Sequence, residues 1–325
     1  MTQLTAYGLT MSPFEVRALD PLQNPADLAS ISRVDGWRDL TDAESLIGQQ
    51  VAADKPVYFI VAGASSTGRS SVANYLVHLW ARARGVSSDA VLVHTRDPGP
   101  GGGVYDAGTQ IMEWAQDLLF SDKQLDLTLS TQQLLTDLEA TSKNLLFAQS
   151  LRAVDEELRT PEPGSGKGSR YLAAILEHGK GDDLVLKVRE CFKGTRAIVI
   201  VTVDRSHDNA NLLSQVDQGV LSGVGLSINV GPISGEDVKT LIEHRWSAVC
   251  PGVLNPFDLT AAAGVFNSAR PIARVVDLLE RMLWIRQHLH RGKPWPAERS
   301  LAFDRDQMAG LLQQLDTTVP VGQEW

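Results

Sequence analysis

Cysteine is nearly absent from this chain of 325 residues: Cys191 and Cys250 are the only two, far apart and each without a second cysteine nearby. That excludes a disulfide framework and a Cys-x-x-Cys zinc site, and it suits a reducing compartment. Long apolar runs are also missing. The longest, VYFIVAGA from Val57 and AIVIVTV from Ala197, fall far short of the ~20 residues a spanning helix needs. The opening, MTQLTAYGLTMSPFEVR, lacks a basic segment followed by an apolar core, so no signal peptide is expected and a cytoplasmic location is. Positive charge is in deficit, with 30 Lys and Arg against 39 Asp and Glu and a net charge of −9. A net anion repels phosphate backbones and anionic lipid, so direct nucleic-acid binding is not favoured and no membrane partner is expected. His288 and His290 stand two apart, a spacing that does not share a helical face, so they predict no metal site. No internal repeat is visible.

What is present reads as an ordinary folded protein. Hydrophobic residues make up 43% and charged residues 21%, and the length suits one large domain or two modest ones at about 100–200 residues each. Residues 1–56 read as a lead-in broken by Pro13, Pro21 and Pro25, with a helix in TDAESLIGQQVAA from Thr41. Val57 to Ala62 is a β-rich apolar run and predicts a buried strand. Ser70 to Arg84 carries Val72, Leu76, Leu79 and Trp80 at helical spacing and closes on Gly85. Val91 to Thr95 predicts a second strand, which makes a βαβ unit and hence a parallel sheet. Helical patterns then run from about Thr109 to Leu158, with Leu134, Leu135, Leu138, Leu145, Leu146 and Leu151 as core candidates. Thr160 to Ser169 is a loop, short helices lead up to Phe192, and RAIVIVTVD from Arg196 to Asp204 is a clear strand. Beyond Pro232 the pattern is helical. One helix is capped by Ser234, another starts from Asp258, and a third runs from Pro271 to His290. A linker from Arg291 and a terminal amphipathic helix using Met308, Leu311, Leu312 and Leu315 follow. These boundaries predict an α/β domain over 57–232, a helical domain over 233–290, and a linker and last helix over 291–325.

The motif that carries chemistry is the turn after the first strand, GASSTGRSS. From Gly63 the next glycine is Gly68, followed by Arg69 and Ser70, which is the P-loop (Walker A) spacing with arginine in the lysine place. Backbone N–H groups across Gly63, Ser65, Ser66, Thr67, Gly68, Arg69, Ser70 and Ser71 would wrap a phosphate, and the helix that follows would direct its positive end at it. The Ser70 hydroxyl is the candidate ligand for Mg²⁺, and Arg69 supplies the cation to the outer phosphates of ATP. A guanidinium is broader than an ammonium and prefers bidentate partners, so phosphate binding and fast hydrolysis need not go together here. The bland alternative is a small-residue turn that binds nothing. The acidic group that such an ATPase needs is either Asp204 or missing; alternatively, that strand senses the outer phosphate through Thr202. GSGKGS from Gly164 to Ser169 has no buried strand before it and reads as a loop. GASSTGR is superficially similar to the turn of short-chain dehydrogenases, but the glycine interval is wrong and no tyrosine has a lysine four residues on.

In order of elements the chain resembles the AAA+ superfamily, and more narrowly the ExeA-like and TniB-like bacterial ATPases. Three stretches carry the resemblance: YGLTMSPFEVRALDP (Tyr7 to Pro21), VGPISGEDVKTLIEHRW (Val230 to Trp246) and NPFDLTAAAGVFNSARPIARVVDLLERM (Asn255 to Met282). It implies a P-loop NTPase parallel sheet flanked by helices, a smaller α-helical lid, bound ATP and Mg²⁺, and assembly with copies of itself or with a protein partner. The lid arginine expected just after Pro271 is Ile272; Arg270 and Arg274 flank it and could substitute, with Arg270 the candidate sensor residue. With Arg69 for lysine and the acidic pair reduced to Asp204, the resemblance implies an ATP-binding regulatory or assembly protein of weak or absent hydrolysis. A nucleotide-free scaffold that keeps the fold and a small-molecule kinase are the alternatives.

Overall fold

Seven consecutive uncharged residues, Val57–Gly63, form the strand β1, and all seven are buried. A strand covered on both faces is central in a parallel sheet. The computed structural model describes residues 9, 12–31, 40–96, 131, 133, 144–160, 168–176, 184–204, 225–289 and 303–318. Four more strands join β1 there: Val91–Arg96 (β2), Tyr171–Leu176 (β3), Ile198–Asp204 (β4) and Gly225–Val230 (β5). The order is β2-β3-β4-β1-β5 and every pairing is parallel. The fold is therefore the expected α/β one, with two strands beyond the three that the sequence marks. Tyr171–Leu176 falls in a stretch that reads as helical, and Gly225–Val230 lies between Asp204 and Pro232, where the sequence marks no strand.

Contacts divide the chain into two compact units. One takes the described residues of Asp39–Ser65 and Arg69–Val230, the other those of Met1–Arg38, Ser66–Gly68 and Gly231–Trp325. In the first, the sheet unit, the helices are Leu40–Ala52 (α2), Arg69–Arg84 (α3), Asn144–Arg159 (α4) and Leu184–Cys191 (α5). The predicted stripe of α3 is its core face: Val72, Leu76, Leu79 and Trp80 are all buried. Full burial of such side chains contributes about 1.5–3 kcal/mol each. Gly85 ends α3 in the left-handed region, at φ 67°. Its N–H donates to the Arg82 carbonyl and that of Val86 to Ala81, which satisfies two of the carbonyls a helix end leaves open. The leucines predicted between 134 and 146 lie outside what can be described of side chains, while Leu151 is buried as expected.

The amino end of β4 is sealed by a buried ion pair. Arg196 donates through Nε to Asp155 Oδ2 at 3.1 Å and through Nη2 to the Asp155 carbonyl at 2.9 Å. Its guanidinium lies 4.9 Å from the Tyr171 ring centroid, and that of Arg84 lies 5.0 Å from the same ring.

The helical unit contains Ala26–Ser30 (α1), Glu236–Val249 (α6), Leu259–Val265 (α7), Ile272–Leu289 (α8) and Arg305–Thr318 (α9). The helix expected from Asp258 is α7, and Asp258 caps it, accepting from the N–H groups of Thr260 and Ala261. Ser234 does not cap α6: Gly235 occupies the cap at φ 47°, a backbone angle that glycine adopts without strain. The last helix, α9, packs on α7 and α8 with Met308, Leu312 and Leu315 buried. Among the described residues no helix is long and apolar enough to cross a membrane.

Candidate functional site

The strand β1 ends on Gly63, whose register partner is Asp204 at the end of β4. After five intervening residues the chain re-enters regular structure at Arg69, the first residue of α3. Between them Ser66 and Gly68 take positive φ, 63° and 99°. A left-handed serine costs about 1–3 kcal/mol and persists only where its surroundings impose it. Left-handed residues also let successive amides face a common side, the backbone habit of anion-holding turns. Ser65 and Ser66 are exposed, Thr67 and Ser71 buried, and Gly68 and Ser70 half-buried. Ser66–Gly68 group with the helical unit, where the N–H of Ala273 donates to the Ser66 carbonyl at 3.1 Å.

Arg69 and Asp204 come together in the sheet unit. Nη2 of Arg69 donates to Asp204 Oδ2 at 3.2 Å, with the arginine side chain only 10% exposed and the aspartate 23%. The other terminal nitrogen, Nη1, is buried and meets no acceptor. Leaving such a donor unpaired costs about 1–3 kcal/mol, more when the group is charged. The lysine slot of the P-loop spacing therefore holds a cation that is half spent. Thr202, two residues before Asp204 on β4, is buried opposite Val61.

Arg270, predicted as a phosphate sensor, lies in the helical unit. Its backbone pairs with Ile233 in an isolated antiparallel bridge, and Nη2 donates to Asp316 Oδ2 at 2.9 Å. Arg274 donates to Asp277 at 3.0 Å and to the same Asp316 at 3.3 Å. Ile272, where an arginine was expected, is buried at the start of α8. The apolar stripe of α9 is legible in the sequence, whereas Asp316 is not, because its pairing with Arg270 and Arg274 has no local signal. Nor is it legible that the apolar residues Tyr171–Leu176 form a strand followed in sequence by an acid, Glu177. Among the described residues no three His, Cys, Asp or Glu gather as a metal cluster.

No known family description matches the chain, and no curated protein does. Solved structures do. The Aeropyrum pernix ORC2 protein in its ADPNP–ADP complexes superposes with a TM-score of 0.55 at 10% identity, over 95% of this chain and 72% of that one. The ADP form of the same protein gives 0.51 at 11% identity, over 96% and 73%. At such identity the likeness is one of fold, and it does not single out the ExeA-like or TniB-like group. Together with the sheet order, it shows an α/β fold in which a five-stranded parallel sheet is flanked by helices.

Proposed function

We propose that the chain binds ATP at its P-loop and works as an AAA+-like regulatory or assembly protein, of the ExeA-like or TniB-like kind, with weak or absent hydrolysis. One observation carries this reading: the Walker A spacing lies where a buried parallel strand ends and a helix begins, with positive φ at Ser66 and Gly68. The nucleotide complexes of the ORC2 protein agree with it. In this reading the amides from Gly63 through Ser71 hold the phosphates, Ser70 holds Mg²⁺, and Arg270 senses the outer phosphate. Residues 57–232 form the nucleotide-binding domain, 233–290 the lid, and 291–325 a linker with the last helix. Bound nucleotide would favour one conformation over another by its differential affinity, and a further copy or another protein would read the difference. Equilibrium binding of a fluorescent ATP analogue to wild type and to Gly68→Asp tests this. The reading requires binding that the aspartate weakens by about thirty-fold, and equal binding, or none to either, ends it.

The pairing of Arg69 with Asp204 favours a second reading, a scaffold without nucleotide, because a neutralised cation no longer attracts phosphate by charge alone. Melting with and without Mg-ATP separates the two: an upward shift of several degrees counts against the scaffold.

A further inference from the structure

We propose that Arg69 serves two anions at once: Nη2 stays on Asp204 while Nη1 takes a phosphate oxygen of the bound nucleotide. Asp204 is then a positioning residue for that arginine rather than the acid that activates water. The inference rests on the nucleotide reading above and assigns it a specific recognition element.

Three observations converge on it. The arginine side chain is nine-tenths buried and holds Asp204 through Nη2, leaving the buried Nη1 with no acceptor. A guanidinium presents its donors in a rigid planar fork, so one arm can hold a carboxylate while the other holds a second acceptor. The place also matters. Other buried donors lack acceptors, among them Arg245 Nε, but Arg69 stands at the carboxyl ends of β1 and β4, where ligands of open α/β sheets bind. An ammonium at the same position would be a point charge spent on Asp204, and the phosphate would lose its partner. The arginine is thus a requirement of this site and not a weakened lysine. The pair as a whole carries no net charge, so it contributes direction to phosphate binding more than attraction.

The test is calorimetric titration of Mg-ATP into wild type, Arg69→Lys, Asp204→Ala, Asp204→Asn and the Arg69→Lys/Asp204→Ala double variant, with a thermal melt of each. Loss of one charge-assisted hydrogen bond corresponds to about ten-fold weaker binding. We expect that loss for Arg69→Lys and again for Asp204→Ala. Asp204→Asn, whose amide oxygen still accepts from Nη2, recovers most of it. The double variant binds no worse than the poorer single one, since residues acting as a unit are not additive. Should Asp204→Ala melt below the assay temperature, the Asn and Lys variants carry the test. Arg69→Lys binding as tightly as wild type or tighter overturns the inference and leaves the nucleotide reading standing, as do additive losses in the double variant. Wild type that does not bind Mg-ATP overturns the nucleotide reading itself.

Discussion

The two ends of β4 carry the same pair of residue types in opposite conditions. At its entry, Arg196 gives Nε, Nη2 and its backbone N–H to Asp155, and both side chains are 6% exposed. At its exit, Asp204 receives one bond from Arg69, and the arginine keeps a donor in hand. Burial is the larger influence at the entry, where it pushes the Asp155 carboxyl above the ordinary carboxylate range even with Arg196 against it. Such a pair fixes geometry more than it adds stability, and breaking it strands a buried charge. An arginine–carboxylate contact is therefore uninformative by itself. Its unspent donors, and the end of the sheet it occupies, decide whether it is structural or poised for a ligand.

The comparison breaks most readily at the entry. Asp155→Ala leaves Arg196 uncompensated and is expected to cost about 3–5 kcal/mol in urea denaturation; a loss below about 1 kcal/mol removes the structural role from that end. Next in size is the exit. Gly68→Asp places a carboxylate where phosphate is to bind, and about thirty-fold weaker binding of an ATP analogue, roughly 2 kcal/mol, is the expected outcome. The helical unit supplies a third pair as a control. Asp27 is buried on α1 and accepts from Arg17, Asn24 and the Asp20 N–H. Its hydrogen bond with Arg17, above all, holds its carboxyl below the ordinary range. The folded chain then binds this proton less readily than the unfolded one. The resulting stability is present above the usual aspartate value of about 3.9 and is lost as pH falls through the folded value. Asp27→Asn should therefore cost about 1.5–3 kcal/mol at pH 7, with the gap to wild type closing in urea titrations as the solution is acidified below pH ~4. The smallest effect is expected at Asp316, which is 38% exposed where it meets Arg270 and Arg274. Asp316→Ala should change stability by no more than about 1 kcal/mol in the same assay.

How much of this was legible depended on whether the signal was local. The strand at Val57 announced itself because a central parallel strand must be apolar on both faces, and α3 because its stripe and Gly85 are close in sequence. Tyr171–Leu176 was missed because its leucines and paired alanines are good helix formers, and only the neighbours β2 and β4 make it a strand. That is the usual fate of β propensity, which measures fit to a sheet more than a backbone preference. In the candidate site, glycine spacing gave the turn, and the terminal acid of β4 was a named candidate. That Asp204 would hold Arg69, or that Asp316 would hold both Arg270 and Arg274, depends on the packing of distant segments, which no spacing encodes.

The aromatic chain Phe14–Phe257–Phe303, with ring centroids 5.8 Å and 5.0 Å apart, draws residues far apart in sequence into one cluster. All three rings are buried. A ribosome releases residues at about 5–20 per second, and domains fold as units while it does so. Everything the sheet needs, from Leu40 to Val230, has therefore emerged before Phe303 exists to complete the cluster. Phe14 therefore waits for its last neighbour until the whole sheet unit has been made, and the helical unit is the later of the two to be completed.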